Sequence, residues 1–289
     1  NDNSGILSTI PRTPNWSSYV KPNQAHRWKF DVLENNESFS DSSGDNNFTN
    51  WSDPQKPVWA GNLTDGIHGK AIDFNGSGDN KFTTSKSFDP NEGLTVSFWA
   101  QMDIGYSGSA DLIAQHDKGA TKGFALSVST GNDVTATLRI PDGMGTPSTQ
   151  TFTSDPGNPV FAIGRWAHVA LSYVAQGGTS SGTWSFYVNG DLVTAQASQI
   201  DYGAEPITIG SNFQGAIDEV EIYTRGLTDA EVRELAGLYV TDSSGNRNHG
   251  VLVGGDERVV SSGEGNAMVA QAMDFNGSVH VDLFHAIGN

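Results

Sequence analysis

"LTVSFWAQM", Leu94–Met102, sets Leu94, Val96, Phe98 and Ala100 on one parity and Thr95, Ser97, Trp99 and Gln101 on the other. An extended chain points successive side chains to opposite faces, so this stretch is a strand with one buried face. The same alternation recurs in "GFALSVST" from Gly123, "VTATLRI" from Val134 and "HVALSYV" from His168. "WSFYVNGDLVTA", from Trp184, sets Asn189-Gly190 between two apolar runs. Asn-Gly accepts positive φ at both centres of a type I′ turn, which predicts a hairpin. Strand and turn signals follow one another every ten residues or so, the rhythm of an antiparallel β-sandwich or jelly roll. One segment departs from it. "GLTDAEVRELAGLY", from Gly226, carries a capping box in Thr228 and Glu231, and Val232, Leu235 and Leu238 share a helical face. A short helix is expected near 228–238.

Composition narrows the function classes. Of the 289 residues 36 % are hydrophobic, which is low, but 10 % are aromatic with seven Trp, enough bulk for a core. Thirty-four Gly fit the many turns that short strands require. The net charge of −17 repels nucleic acid and anionic lipid and suits calcium. With no cysteine, thiol catalysis, zinc–thiolate sites and disulfides are excluded. No apolar run is long enough for a membrane span. The chain starts "NDNSG" without Met, as a processed chain would, and a secreted protein is expected.

Residues 1–25, with Pro11, Pro14 and Pro22, read as an arm or linker, and the β pattern runs from 26 to about 225, within a domain expected at 26–240. The chain also repeats itself. "DSSGDNN" from Asp41 returns as "DSSGNRN" from Asp242, and "AIDFNGS" around Asp73 returns as "AMDFNGS" around Asp274, at the same spacing. Residues 241–289 therefore resemble the opening of the first domain and stop short of completing it.

The succession "HRWKFD", "DSSGDNN", "GKAIDFNGS", "GLTVSFWAQM", "GRWAHVALSYV", "WSFYVNGDLV" and "PITIGSNFQGAIDEVEIYTRGLTDAEVREL" resembles a LamG-like domain of the concanavalin A-like lectin/glucanase superfamily. The resemblance covers residues 26–240, with a partial second copy at the C-terminus. It implies two antiparallel sheets in a jelly roll, often with a bound calcium ion, and no single function.

Three constellations could carry chemistry. The polar loop at Asp41, with Gly44 and Asn46, offers the hard oxygens that Ca²⁺ requires, and Asp242, Gly245 and Asn248 repeat it. By resemblance the first strand lies beside the last, which would bring Asp218 to this loop. Laminarinase-type relatives set two Glu four residues apart on one strand face. Here the comparable run is Ala216-Ile217-Asp218-Glu219-Val220-Glu221, and Ala216 stands where the nucleophile is needed. No His-x-His or Gly-x-Ser-x-Gly pattern offers another centre, and His168 reads as a packed strand residue. No enzyme is expected. Sugar binding through aromatics is the third constellation. Trp51, Trp59, Tyr106 and Tyr202, in polar loops, are the candidates, whereas Trp99, Trp166 and Trp184, in strands, are assigned to the core.

The expected function is a calcium-stabilised binding or adhesion module for glycans or a cell-surface ligand. Two alternatives stand beside it. Residues 241–289 could donate strands to other copies of the chain and build an extracellular polymer. The chain could also be an appended module of a polysaccharide-degrading enzyme. A half copy cut from a tandem array, or folded back on the first domain, is the plainer reading of 241–289.

Overall fold

The computed structural model describes residues 24–34, 38–41, 63–67, 70–77, 81–84, 93–116, 122–140, 148–154, 160–161, 166–176, 181–199 and 205–237, and beyond these the strands of 239–240, 250–253, 259–261, 271–273 and 280–283. The chain divides into two compact units, one of residues 22–236 and one of residues 1–21 and 237–289.

The larger unit runs β1 (Gln24–Glu34), β2 (Ser38–Asp41), β3 (Leu63–Asp65), β4 (Lys70–Asn75), β5 (Phe82–Thr83), β6 (Leu94–Met102), β7 (Ala110–His116) and β8 (Gly123–Val128). It continues through β9 (Val134–Ile140), β10 (Ser148–Thr153), β11 (Trp166–Ala175), β12 (Ser181–Val188), β13 (Asp191–Gln199), β14 (Thr208–Ser211), β15 (Gln214–Tyr223) and α1 (Asp229–Leu235). A nine-stranded sheet has the order β13-β12-β11-β6-β15-β1-β2, with β4 beside the first half of β15 and β3 beside β4. A six-stranded sheet has the order β10-β9-β8-β7-β14-β5. All pairings are antiparallel, and the two sheets form the sandwich that the alternation predicts.

The core lies between the sheets. Val96, Phe98, Val169, Leu171, Trp184, Phe186, Ile217 and Ile222 from one meet Phe124, Leu126, Leu138, Ile209 and others from the other. The β12–β13 hairpin turns at Asn189 and Gly190, with φ of 50° and 79°, the pair of positive values that a type I′ turn demands. The helix is capped as its sequence requires. Thr228 accepts from the Glu231 N–H, and the Glu231 carboxylate accepts from the Thr228 N–H. It ends at Leu235, with Gly237 at φ 71° beyond it, and Leu238 lies outside the described residues.

The helix and the loop before it cover part of the nine-stranded sheet's outer face. Leu227 and Val232 pack on Ala170, Tyr187 and Tyr223. Thr95 Oγ1 donates to the Arg225 carbonyl, Ser172 Oγ donates to the Leu227 carbonyl, and Tyr187 donates to Asp229. Polar side chains on this face are thereby buried without losing their partners.

The smaller unit contains β16 (Tyr239–Val240), β17 (Gly250–Val253), β18 (Val259–Ser261), β19 (Gln271–Met273) and β20 (His280–Leu283). β17 pairs with β16 and β20, and β18 with β19. Ala272 and Met273 pair with Val260 and Val259, just as the repeated Ala71 and Ile72 pair with Thr64 and Leu63.

Candidate functional site

β15 bends at a bulge. Asp218 lies opposite Trp99 and Glu221 opposite Ser97, so β15 spends one more residue than β6 between the two pairs. Glu219 absorbs the irregularity at φ 46°. In consequence Val220 turns into the core, while Asp218 and Glu221 both belong to the outer face. The two-residue spacing on which a pair of catalytic carboxylates depends is broken here.

The carboxylates around the bulge have structural partners. Arg27, opposite Glu221 on β1, donates from Nη2 to Glu219 Oε2 at 2.8 Å and places Nε 3.3 Å from Glu221 Oε1. Tyr223 donates to Glu221. All four side chains are buried. Burial opposes the charge on Arg27, but Glu221 and Glu219 outweigh it and raise its pKa. Burial and Glu221 push the Tyr223 hydroxyl up. Asp218 is fully buried and accepts from the Glu219 N–H at 2.7 Å. Its other oxygen presses on Gly66, where a Cβ would lie only 2.4 Å away.

Of the expected calcium ligands, Asp41 ends β2 opposite Trp28, and Trp28 lies opposite Val220. The first strand does lie beside the last, and the Asp41 backbone stands two strands from β15. Gly44, Asn46, Asp242, Gly245 and Asn248 lie outside the described residues. Among the described residues no three His, Asp or Glu side chains converge as a metal site. Of the expected aromatic ligands, Trp51, Trp59 and Tyr202 also lie outside the described residues. Tyr106 is a half-buried strut: its hydroxyl donates to the Asn212 carbonyl at 2.8 Å and its ring meets Phe213 edge-on. Burial raises its pKa.

The strand tryptophans require a correction. Trp184 is in the core, fully buried and stacked on Tyr173. Trp99 and Trp166 are not: both are half-buried and belong to the outer face of the nine-stranded sheet. Trp99 lies opposite His168 on β11, and Trp166 opposite Gln101 on β6, so the two indoles are diagonal neighbours, roughly 7–8 Å apart between backbones. His168 is buried as expected, with Ser97 Oγ 2.8 Å from its Nε2 and its ring edge-to-face with Trp99 at a centroid distance of 5.4 Å. The row continues from Trp166 through Gln101 and Ala216 to Asp73, all on one face. Ala216, between Gln101 and Asp73 in this row, is small and buried. Burial and the neighbouring Asp103 hold the Asp73 carboxyl above the usual carboxylate range. Two half-buried indoles, an amide and a half-buried carboxylate thus share the outer face of the nine-stranded sheet, at positions other than Ala170, Tyr187 and Tyr223 on which Leu227 and Val232 pack. The alternation itself contains this result, since Trp99 shares its parity with Thr95, Ser97 and Gln101.

A family profile described as the concanavalin A-like lectin/glucanases superfamily matches residues 74–233. Comparison with curated proteins finds no match. Among solved structures, the binding domain of Paraclostridial Mosquitocidal Protein 1 superposes with a TM-score of 0.54 at 19 % identity, over 76 % of this chain and 54 % of that one. This chain thus spans about half of that neighbour's length. The receptor binding domain of botulinum neurotoxin D gives 0.53 at 12 % identity, over 91 % and 73 %. Domain 4 of an extracellular arabinanase from Geobacillus stearothermophilus, in complex with arabinotriose, gives 0.50 at 20 % identity, over 74 % of this chain and 98 % of that domain. At such identities the likeness is one of fold. The family match spans more than half of the sequence, and the chain belongs to the concanavalin A-like lectin/glucanases superfamily.

Proposed function

We propose that the chain is a secreted, non-catalytic binding module whose ligand is a glycan, held on the outer face of the nine-stranded sheet at Trp99 and Trp166. The single observation that carries this reading is the diagonal pair of half-buried indoles on a polar sheet face. An indole in a strand interior gains most by facing the core, and exposing two together leaves apolar surface for something else to cover. The C–H faces of pyranoses stack on such rings, while amides and carboxylates such as Gln101 and Asp73 bind their hydroxyls. That an arabinanase domain in complex with arabinotriose shares the fold favours the variant in which this module is appended to a polysaccharide-degrading enzyme.

The same face supports the non-catalytic part of this reading. Asp218 is fully buried, and Glu219 and Glu221 are both engaged by Arg27. Ala216 supplies no nucleophile. A glycan-binding chain is expected to be retarded in gels containing its polysaccharide. Trp99→Ala together with Trp166→Ala abolishes the retardation while far-ultraviolet circular dichroism stays unchanged.

Calcium belongs to this reading as a structural ion. The polar loop after β2, which begins at Asp41, offers the hard oxygens that such an ion requires. The loop oxygens of Asp41, Gly44 and Asn46, and of the repeat, would hold it. Chelation with EDTA is expected to lower the melting temperature, and re-addition of Ca²⁺ to restore it. An unchanged melting temperature removes the ion from the account.

A further inference from the structure

β13 is an end strand of the nine-stranded sheet and pairs with β12 alone among the described residues. Of its nine residues seven are exposed, and Thr194 and Ser198 are half-buried. An end strand leaves a row of backbone N–H and C=O groups directed sideways, and natural sheets blunt such rows with charges, proline or bulges. A bulge does fall at Val193, between the pairs Tyr187–Leu192 and Phe186–Thr194. Beyond it, from Thr194 to Ser198, the strand is regular and contains no charge, proline or glycine.

The neighbouring edge of the other sheet is also bare of charge. β10, "STQTFT", ends the six-stranded sheet, exposes Thr149, Thr151 and Thr153, and is tied to β13 by the hydrogen bond from Gln150 Nε2 to Gln196 Oε1. The segment Thr194–Ser198 and β10 thus contain no charged residue, with Asp191 at the start of β13 and Arg139 of β9 beside Thr149 as the charges flanking them, in a chain whose net charge is −17. Two copies of so acidic a chain repel one another wherever their charges meet. Along Thr194–Ser198 they do not.

The window is also complementary to itself. In antiparallel pairing about a two-fold axis at Gln196, Thr194 lies opposite Ser198 of the second copy, Ala195 opposite Ala197, and Gln196 opposite Gln196. Hydroxyl meets hydroxyl, methyl meets methyl and amide meets amide, on the faces that the register with β12 assigns to each. Leu192 and Val193, 42 % and 38 % exposed, stand at the end of the paired segment, where a second copy would cover them. From these observations we infer that β13 is the self-association edge of this protein, joining the nine-stranded sheets of two copies into one continuous antiparallel sheet.

Sedimentation velocity on the full chain tests this, with two charged variants, Ala195→Lys/Ala197→Lys and Ala195→Glu/Ala197→Glu. The exposed positions leave the fold unchanged by circular dichroism. The native chain is expected at twice the chain mass. Each variant alone falls to a single chain mass, because like charges then face each other across the axis. An equimolar mixture of the two returns to twice the mass, because each Lys then faces a Glu. A native chain that stays at single mass at the highest soluble concentration overturns the inference. So does a two-chain mass that survives in the lysine variant, which places the joint elsewhere. Species larger than two chains point instead to strand donation through residues 241–289 and equally overturn it.

Discussion

Gly66 shows how one residue can decide whether a buried charge is tolerated. A Cβ at this position would lie 2.4 Å from Asp218 Oδ2 and 2.9 Å from the Lys70 carbonyl carbon. Neither neighbour can withdraw cheaply, since Asp218 is fully buried and Lys70 meets it through backbone. Gly66→Ala is therefore expected to destabilise the domain by about 1–3 kcal/mol, the usual cost of overpacking. Urea denaturation measures it, and an unchanged midpoint contradicts the packing described. Trp99 teaches a different lesson at the same scale. Its parity within "LTVSFWAQM" places it on the polar face, and the size of the side chain alone suggested the core. Parity was the better guide because a strand cannot turn one side chain around without slipping every other.

At the scale of elements, the cap of α1 and the bulge of β15 contrast in legibility. Thr228 and Glu231 announce the helix start from sequence because capping is local chemistry over three residues. Arg225 adds to it what the sequence does not show, donating from Nη2 to Glu231 Oε1 at 2.5 Å. The hydrogen bond from Arg225 outweighs burial and, with Thr228, draws the Glu231 carboxyl down from its ordinary 4.5 to about 2. A carboxyl whose pKa is depressed on folding contributes stability that is present above 4.5 and is lost as pH falls towards 2. The melting temperature of the native chain is expected to fall more steeply over that window than that of Glu231→Gln. Parallel curves contradict the linkage. The β15 bulge was not legible, because a bulge is defined by the partner strand: only opposite Trp99 and Ser97 does the extra residue exist. It is also what takes Val220 off the outer face and separates this strand from the carboxylate spacing of a glucanase.

For the whole molecule, alternation, the Asn189-Gly190 turn and the order of motifs made the sandwich readable, since each is a local consequence of burying one sheet face. The proposed binding face was not readable. Trp99, Trp166, Gln101, Ala216 and Asp73 come from four strands and meet only through the order of the sheet, β11-β6-β15 with β4 beside it. That same order sets their row away from Ala170, Tyr187 and Tyr223, on which Leu227 and Val232 pack, which is why recognition is proposed there. Affinity electrophoresis through gels containing soluble polysaccharides, run on the native chain and on Trp99→Ala/Trp166→Ala, tests this assignment most directly. The account predicts retardation of the native chain by at least one polysaccharide and free migration of the folded double variant in the same gel. Equal retardation of the two proteins, or free migration of the native chain in every gel, contradicts it.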